Sequence, residues 1–372
     1  MDIEWEKIET DFKGGYCFTH ARGVVLPNGE IFITTQPLLL SGSDVFYGIH
    51  TIRKPPHGEW SKLVPSKFLV RRKVAEGVEQ ALSDGTPFFH RKTGKLLLLG
   101  HTVAYRNEKG PAVFPRFTAW SSFDFETNDW HPYETLDMED GYRFFSAGNG
   151  SGQSLELPDG DILIPFYFMN KEEAQDPWHS CYTASVMRCS FDGEKFTVKA
   201  IGNPLSIDCP RGLGEPSIIA YKGKYFLALR NDQHGYISCG EDGLHFDPPR
   251  LLVFDDGKDA GNYCTQQHWI VCGGKLFLVY TRKDAGNDHI FRHRAPLFIA
   301  EYDGERMCII RSTERIAVPE RGARLGNFGC CSVNENESLV IASEWMQPDW
   351  KVCMEYGSRN TIFVSRITAG KK

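Results

Sequence analysis

The chain repeats one short grammar six times: a strand-sized apolar run, a tight turn, and a second, stronger run. The clearest copy is Gly214-Glu215-Pro216-Ser217-Ile218-Ile219-Ala220-Tyr221-Lys222-Gly223-Lys224-Tyr225-Phe226-Leu227-Ala228-Leu229-Arg230. Its turn, Lys222-Gly223, puts glycine where a two-residue hairpin needs a positive φ. Further turns stand at Asn28-Gly29, Thr93-Gly94, Asp159-Gly160, Gly273-Gly274 and Asn334-Glu335, so that the six are spaced 65, 66, 63, 51 and 61 residues apart. Strands are expected ahead of the turns at 23–26, 87–90, 154–157, 217–221, 269–272 and 330–333. The stronger partners follow at 30–35, 95–101, 161–168, 224–230, 275–282 and 338–345. Third strands are expected at 45–53, 117–123, 183–191, 235–239, 297–302 and 361–367. Long helical periodicity is absent. Six such units imply a repeat architecture, which for all-β units means a propeller. The expectation is one domain over residues 1–372, a six-bladed β-propeller, with a seven-bladed ring as the alternative. The last unit stops after its third strand. Segment 3–9 is then free to supply a fourth, closing the ring and leaving no long unpaired edge.

Charge narrows the partners. Forty-two Lys and Arg stand against 48 Asp and Glu, a net charge of −6 with no basic block. That argues against nucleic acid or an anionic membrane surface, and requires any anion site to be a local cluster of Arg. No apolar run approaches the roughly 20 residues of a membrane span. The first residues lack the basic and apolar regions of a signal peptide. A cytoplasmic protein is expected, with an exported protein shorn of its signal as the alternative. The 11 Cys are odd in number and form no CxxC pair, which points to reduced, structural thiols. Cys330-Cys331 is a poor metal clamp, because neighbouring strand residues face opposite ways. No metal or cofactor is expected.

Several third strands run into a small turn that is clearest in Ser238-Cys239-Gly240-Glu241-Asp242-Gly243-Leu244-His245-Phe246. Looser copies lie at Ser190-Phe191-Asp192-Gly193 and Ser122-Phe123-Asp124-Phe125. The Asp can accept from the turn's own amides while the aromatic packs between units. These turns resemble the Asp boxes of sialidase-like propellers.

In order along the chain, further stretches resemble the sialidase (neuraminidase) family, in particular its bacterial exo-sialidase type. His20-Ala21-Arg22-Gly23-Val24-Val25 is similar to that family's opening Arg-bearing strand. Ser43-Asp44-Val45-Phe46 stands where the family carries its acid/base Asp. Gly85-Thr86-Pro87-Phe88 and Gly150-Ser151-Gly152-Gln153 resemble its second and third units. The resemblance implies Glu215 as the Glu assisting the nucleophile, and Arg22, Arg230 and Arg294 as a carboxylate-binding triad, with Arg292 the close competitor for the third place. It breaks in the sixth unit. There Leu325-Gly326-Asn327-Phe328-Gly329 holds no counterpart of the family's nucleophilic Tyr, which opens the site to other chemistry.

Three guanidinium groups repel one another, so their convergence makes sense with a bound anion, and Arg offers a carboxylate a planar fork. The alternative is that each Arg pairs locally, as Glu215 could with Arg230. The histidines supply a second chemistry. His20, His101 and His268 are near strand ends, with Gln267 beside His268 as a substrate contact, and His289 and His293 sit in the insertion at 284–293. A His near a bound uronate could serve as base for elimination or acid for hydrolysis, and His20 is the favoured one. Tyr167 and Tyr280 are candidate proton donors. Trp178, His179 and Tyr182 are a candidate sugar-stacking wall. The reading is a sialidase-like exo-glycoside hydrolase acting on an acidic glycan. The alternatives are a lyase or glycosidase acting on a uronate- or rhamnose-containing glycan through His chemistry, and a non-catalytic carbohydrate-binding propeller.

Overall fold

The computed structural model describes residues 1–42, 44–107, 109–176 and 179–370. Among these residues six separate sheets follow one another along the chain, antiparallel but for a short parallel pairing of Cys181 and Tyr182 with Arg211 and Gly212 in the third. The first is built on Tyr16–Val25, Ile31–Leu39 and His50–Lys54. The second rests on Val78–His90, Lys95–Arg106 and Thr118–Asp124, and the third on Ile162–Met169, Cys181–Phe191 and Phe196–Ile201. Gly214–Tyr221, Lys224–Arg230 and Gly235–Gly240 form the fourth. The fifth holds His268–Cys272, Lys275–Tyr280 and Leu297–Asp303, and the sixth Gly329–Asn334, Glu337–Ser343 and Ile362–Thr368. Innermost strands of successive sheets pack side by side, and that of the sixth meets that of the first. The result is an all-β propeller.

The expected closure is present. Asp2–Ile8 adds to the outer edge of the sixth sheet, running antiparallel to Ile362–Thr368 from Asp2 opposite Thr368 to Ile8 opposite Ile362. Chain start and chain end are thus held by one ladder, and an exposed edge is removed.

Strands alternate their side chains between two faces, so each sheet is apolar on both and must be covered on both. The ring does this, with one apolar cluster in every gap between neighbouring sheets. Cys330 joins the cluster between the fifth and sixth sheets and Cys331 the one between the sixth and first. At Lys222-Gly223 both residues take positive φ, 49° and 77°, the twist-matched hairpin turn. The Asp turns form as expected. Asp242 accepts from the amides of Leu244 and His245, and Asp192 from those of Glu194 and Lys195. A fourth copy, not anticipated, is Asp303 accepting from Glu305 and Arg306.

Two details differ from expectation. The innermost strands of the first, second and fourth sheets are longer, because each continues past a β-bulge, at Thr19/Arg22, Ser83/Thr86 and Gly214/Ser217. One α-helix, Trp350–Glu355, interrupts the sixth unit and is capped by the Asp349 carboxylate, which accepts from the amides of Lys351 and Val352.

Candidate active site

The bulges set the site. In the first, second and fourth sheets the innermost strand shifts register at His20, Asp84 and Glu215, and these residues take φ of 56°, 54° and 44°. A bulge turns one side chain out of the alternating pattern. Here it aims three titratable groups into a single cavity of about 850 Å³ at one end of the propeller axis. Asp44, Arg211 and Arg292, which also line this cavity, have positive φ as well. Such strain in non-glycine residues gathers where the backbone serves a site.

One side of the cavity is organised around Asp84, which the sequence reading did not single out. Its Oδ1 lies 3.2 Å from His20 Nδ1 and accepts from Ser151 Oγ at 2.9 Å, while its Oδ2 is 3.3 Å from His101 Nε2. Arg22 reaches Asp84 Oδ1 at 3.8 Å and donates to Ser151 Oγ at 2.8 Å. Burial alone would raise the Asp84 pKa, but these donors and the Arg22 charge hold it well below the usual carboxylate range. Burial has the opposite result for the imidazoles: His20 is brought down to about 4, only partly countered by Asp84, and His101 is also lowered. The cluster at neutral pH is therefore an ionised Asp84, a charged Arg22 and two neutral histidines.

His101 fits only because its neighbours lack side chains. A Cβ on Gly150 would stand 2.3 Å from the His101 ring, and one on Gly148 2.5 Å from its Cβ. Gly150→Ala is expected to cost about 1–3 kcal/mol, as for overpacking. Gly141→Ala, where no atom lies within 4 Å, is expected to stay within about 0.5 kcal/mol. Urea denaturation of both variants checks this, and equal stability would mean that the ring simply moves aside.

The opposite side is rich in arginine. Glu215 pairs with Arg230, which also donates to Asp232 Oδ1 at 3.1 Å, and Arg211 lies 3.4 Å from Asp232. The ion pair of Glu215 with Arg230 that was the alternative to a ligand role is thus present, yet Glu215 Oε2 remains buried without a hydrogen-bond partner. Arg294 and Arg324, only 4% and 6% exposed, have no carboxylate within ion-pair distance among the described residues. Arg294 donates to the Cys264 carbonyl, and Arg324 to Gln347 Oε1 at 3.2 Å while stacking 4.1 Å from the Trp345 ring. Both keep a buried Nε with no acceptor. Burial, reinforced by Arg294, draws the Arg324 pKa down to about 9.

The cavity thus brings together Asp44, Glu215, His20, Arg230 and Arg294. Arg22, His268 and Gln267 do not line it. Arg22 is fully buried beneath the floor and donates to the Phe328 carbonyl at 3.1 Å. His268 bonds Ser217 Oγ at 2.8 Å and meets the Phe328 ring edge-on, and burial brings its pKa down to about 3. Gln267 donates to Asn262. In the stretch without the family Tyr, Asn327 faces the cavity and Phe328 is turned into the core.

Of the remaining candidates, Tyr280 donates to Glu314, His289 stacks on Tyr356 beside Glu320, and His293 contacts Tyr263 and Asp288. None of the three lines the cavity. His179 is exposed and paired with Asp176. Tyr182 lines the cavity, and Tyr167 a smaller recess beside it. Burial raises the Tyr167 pKa and nearby Glu215 adds to this, so the phenol stays protonated, a donor and not a nucleophile. Trp178 lies outside the described residues. Arg116 and Arg324 were missed because they sit in connections between strands, where the repeat carries no signal, and Trp345 because it was read as the end of the strand 338–345, which stops at Ser343. Asp84 was within reach, since it precedes its turn much as His20 and Glu215 precede theirs. Among the described residues no three His, Cys, Asp or Glu are grouped as metal ligands.

The fold is that of the sialidase-like β-propellers. A protein of unknown function from Dyadobacter fermentans superposes with a TM-score of 0.66 at 13% identity, over 98% of this chain and 99% of that one. A Hadza microbial sialidase gives 0.61 at 11% identity, over 95% of this chain and 66% of that one. Trypanosoma rangeli sialidase bound to sialic acid gives 0.62 at 11%, over 98% and 59%. The chain therefore spans about three fifths to two thirds of these sialidases. No protein-family model matches the chain, and no curated protein does. At such identities the likeness concerns the fold alone.

Proposed function

We propose that this chain is a glycan-active enzyme, a sialidase-like exo-glycoside hydrolase that acts on a carboxylate-bearing sugar. The six sheets are taken as the blades of a six-bladed ring, and the whole chain as one domain. The observation carrying the reading is the pair Arg294 and Arg324: nearly buried guanidinium groups that face the cavity with no carboxylate of their own. A desolvated, unpaired charge is costly, and a ligand anion would relieve it. Arg230, Arg294 and Arg324 would hold that carboxylate. Arg324 takes the place first assigned to Arg22, which instead positions Asp84 from below. Asp44, on the rim, is the acid/base group. Asp84 and Glu215 supply the negative charge that an oxocarbenium-like transition state needs.

The test is product analysis on a panel of acidic oligosaccharides. Hydrolysis yields a free reducing sugar. Elimination yields an unsaturated uronate detectable by its ultraviolet absorbance and would favour the lyase alternative, with the cavity-lining His20 and His101 as the candidate bases, both weakened by the burial that lowers their pKa values. A binding module yields neither product but is stabilised thermally by ligand. Asp44→Asn is expected to lower turnover by about 10²–10⁴-fold, the range of general acid–base catalysis, with ligand affinity retained. Unchanged turnover removes Asp44 from the mechanism.

A further inference from the structure

Counting charge around the cavity leaves a remainder. Arg230 and Arg211 answer Glu215 and Asp232, and Arg22 answers Asp84. Arg294 and Arg324, on the side of the fifth and sixth sheets, belong to the reading above, and Arg292, in the same connection as Arg294, lines the cavity with its guanidinium 5.1 Å from the Phe291 ring centroid. One more guanidinium is left on the far side of the axis, that of Arg116.

Arg116 precedes the strand Thr118–Asp124 and is tied into the gap between the second and third sheets. Its amide donates to the Phe145 carbonyl and its carbonyl accepts from Ala147. In a ring of six sheets that gap is diametrically opposite the one between the fifth and sixth. The Arg116 guanidinium lies 4.5 Å from the Tyr167 ring centroid and 5.1 Å from that of Tyr182. Its Nε and Nη2 are buried and have no hydrogen-bond partner. No carboxylate lies within ion-pair distance of it among the described residues. Two aromatic rings attract a cation, and Tyr167 also takes a side-chain hydrogen bond from Arg116, but Nε and Nη2 of the fork are left without an acceptor. Beside it opens a recess of about 80 Å³, lined also by Arg211 and Arg230 and continuous in its lining residues with the main cavity. At about 850 Å³ the main cavity is near the upper end of the roughly 300–1,000 Å³ of ligand pockets, ample for more than one sugar ring.

The geometry points to a second anion subsite formed by Arg116 with Tyr167 and Tyr182. The ligand is then a glycan bearing anionic groups, carboxylate or sulfate, on two neighbouring sugars, not one with a single terminal acidic residue. This rests on the reading that Arg294 and Arg324 hold the first anion, and the experiment separates the two. Inorganic sulfate is titrated into the full chain while the Nε–Hε signals of the arginines are followed by NMR, assigned by single Arg→Gln variants. The expected result is saturable shifts at Arg116 as well as at Arg294 and Arg324, with Arg116→Gln removing only the first set. Shifts at Arg294 and Arg324 without any at Arg116 overturn the second subsite and leave the first reading standing. Shifts at Arg116 alone sink the first reading instead. Because the wild-type signal is itself a readout, a poorly folding variant does not blunt the test. On an array of acidic oligosaccharides, Arg116→Gln should lose at least tenfold in affinity for dianionic glycans and less than twofold for monoanionic ones. An equal loss for both overturns the proposal.

Discussion

Asp84→Asn is expected to destabilise the protein by about 3–5 kcal/mol, the cost of removing one partner from a buried ion pair. The substitution keeps the shape of the side chain and removes its charge. Among the described residues it leaves Arg22, which is fully buried, with no carboxylate within ion-pair distance and only the more distant Glu215 as counter-charge. The new amide nitrogen also faces His101 Nε2 or His20 Nδ1 in place of an oxygen. By contrast Asp44→Asn, on a half-buried rim residue, should shift stability by no more than about 0.5 kcal/mol. A double variant, Asp84→Leu with Arg22→Met, should recover part of the loss, because an apolar pair carries no desolvated charge. Urea denaturation of the three variants decides it. A loss below about 1 kcal/mol for Asp84→Asn would mean that Arg22 is stabilised by its Ser151 and Phe328 hydrogen bonds alone.

The second large effect is loss of stability in mild acid. His20 and His268 are buried, and their pKa values are lowered to about 4 and about 3; each returns to about 6.5 when the chain unfolds. A group whose folded pKa is depressed contributes stability that is fully present above its unfolded pKa. That contribution is lost as pH falls toward the folded value. His50 and His101 are lowered as well, and in the window from about pH 6.5 down to about 4 the unfolded chain takes up, at His20 and His268 alone, two protons that the folded chain does not. Together they remove on the order of 5 kcal/mol, a large share of a typical domain's margin. Asp84, also depressed, adds in the same direction below its ordinary range. Denaturation midpoints across this window, with proton uptake measured by calorimetry in buffers of different ionisation enthalpy, test the claim. A flat profile from pH 7 to 4.5 contradicts it, and His268→Gln should reduce the slope by about one proton.

Much of the fold was legible because a propeller is written in local signals. Turns such as Lys222-Gly223 and Asp242-Gly243 depend on the φ preferences and side-chain reach of adjacent residues, and their even spacing follows from sheets of similar size. Even the closure by Asp2–Ile8 could be deduced, since a unit lacking one strand needs a partner. The site was legible only in part. Asp44, Glu215, Arg230 and Arg294 were singled out through the resemblance to the sialidase family and His20 through its position on the opening strand, and all five line the cavity. Arg22 was placed correctly on its strand but at the wrong depth. The bulge between Thr19 and Arg22 presents His20 to the cavity and sends Arg22 beneath it, and no residue type announces a bulge of this kind.

The amino-acid sequence by itself determined the class of fold, the order of the sheets, the closing strand and the absence of a tyrosine near Phe328. Each of these is settled within a few residues or by counting. Tertiary structure alone decided which charges are paired and which are not. Asp84 takes Arg22 from the first sheet and Ser151 from the third, while among the described residues Arg116, Arg294 and Arg324 have no carboxylate within ion-pair distance. The reason is physical. Pairing depends on distances of a few ångströms between strand ends that are 60 or more residues apart in the chain, and those distances are set by bulges and by the packing of whole sheets around an axis.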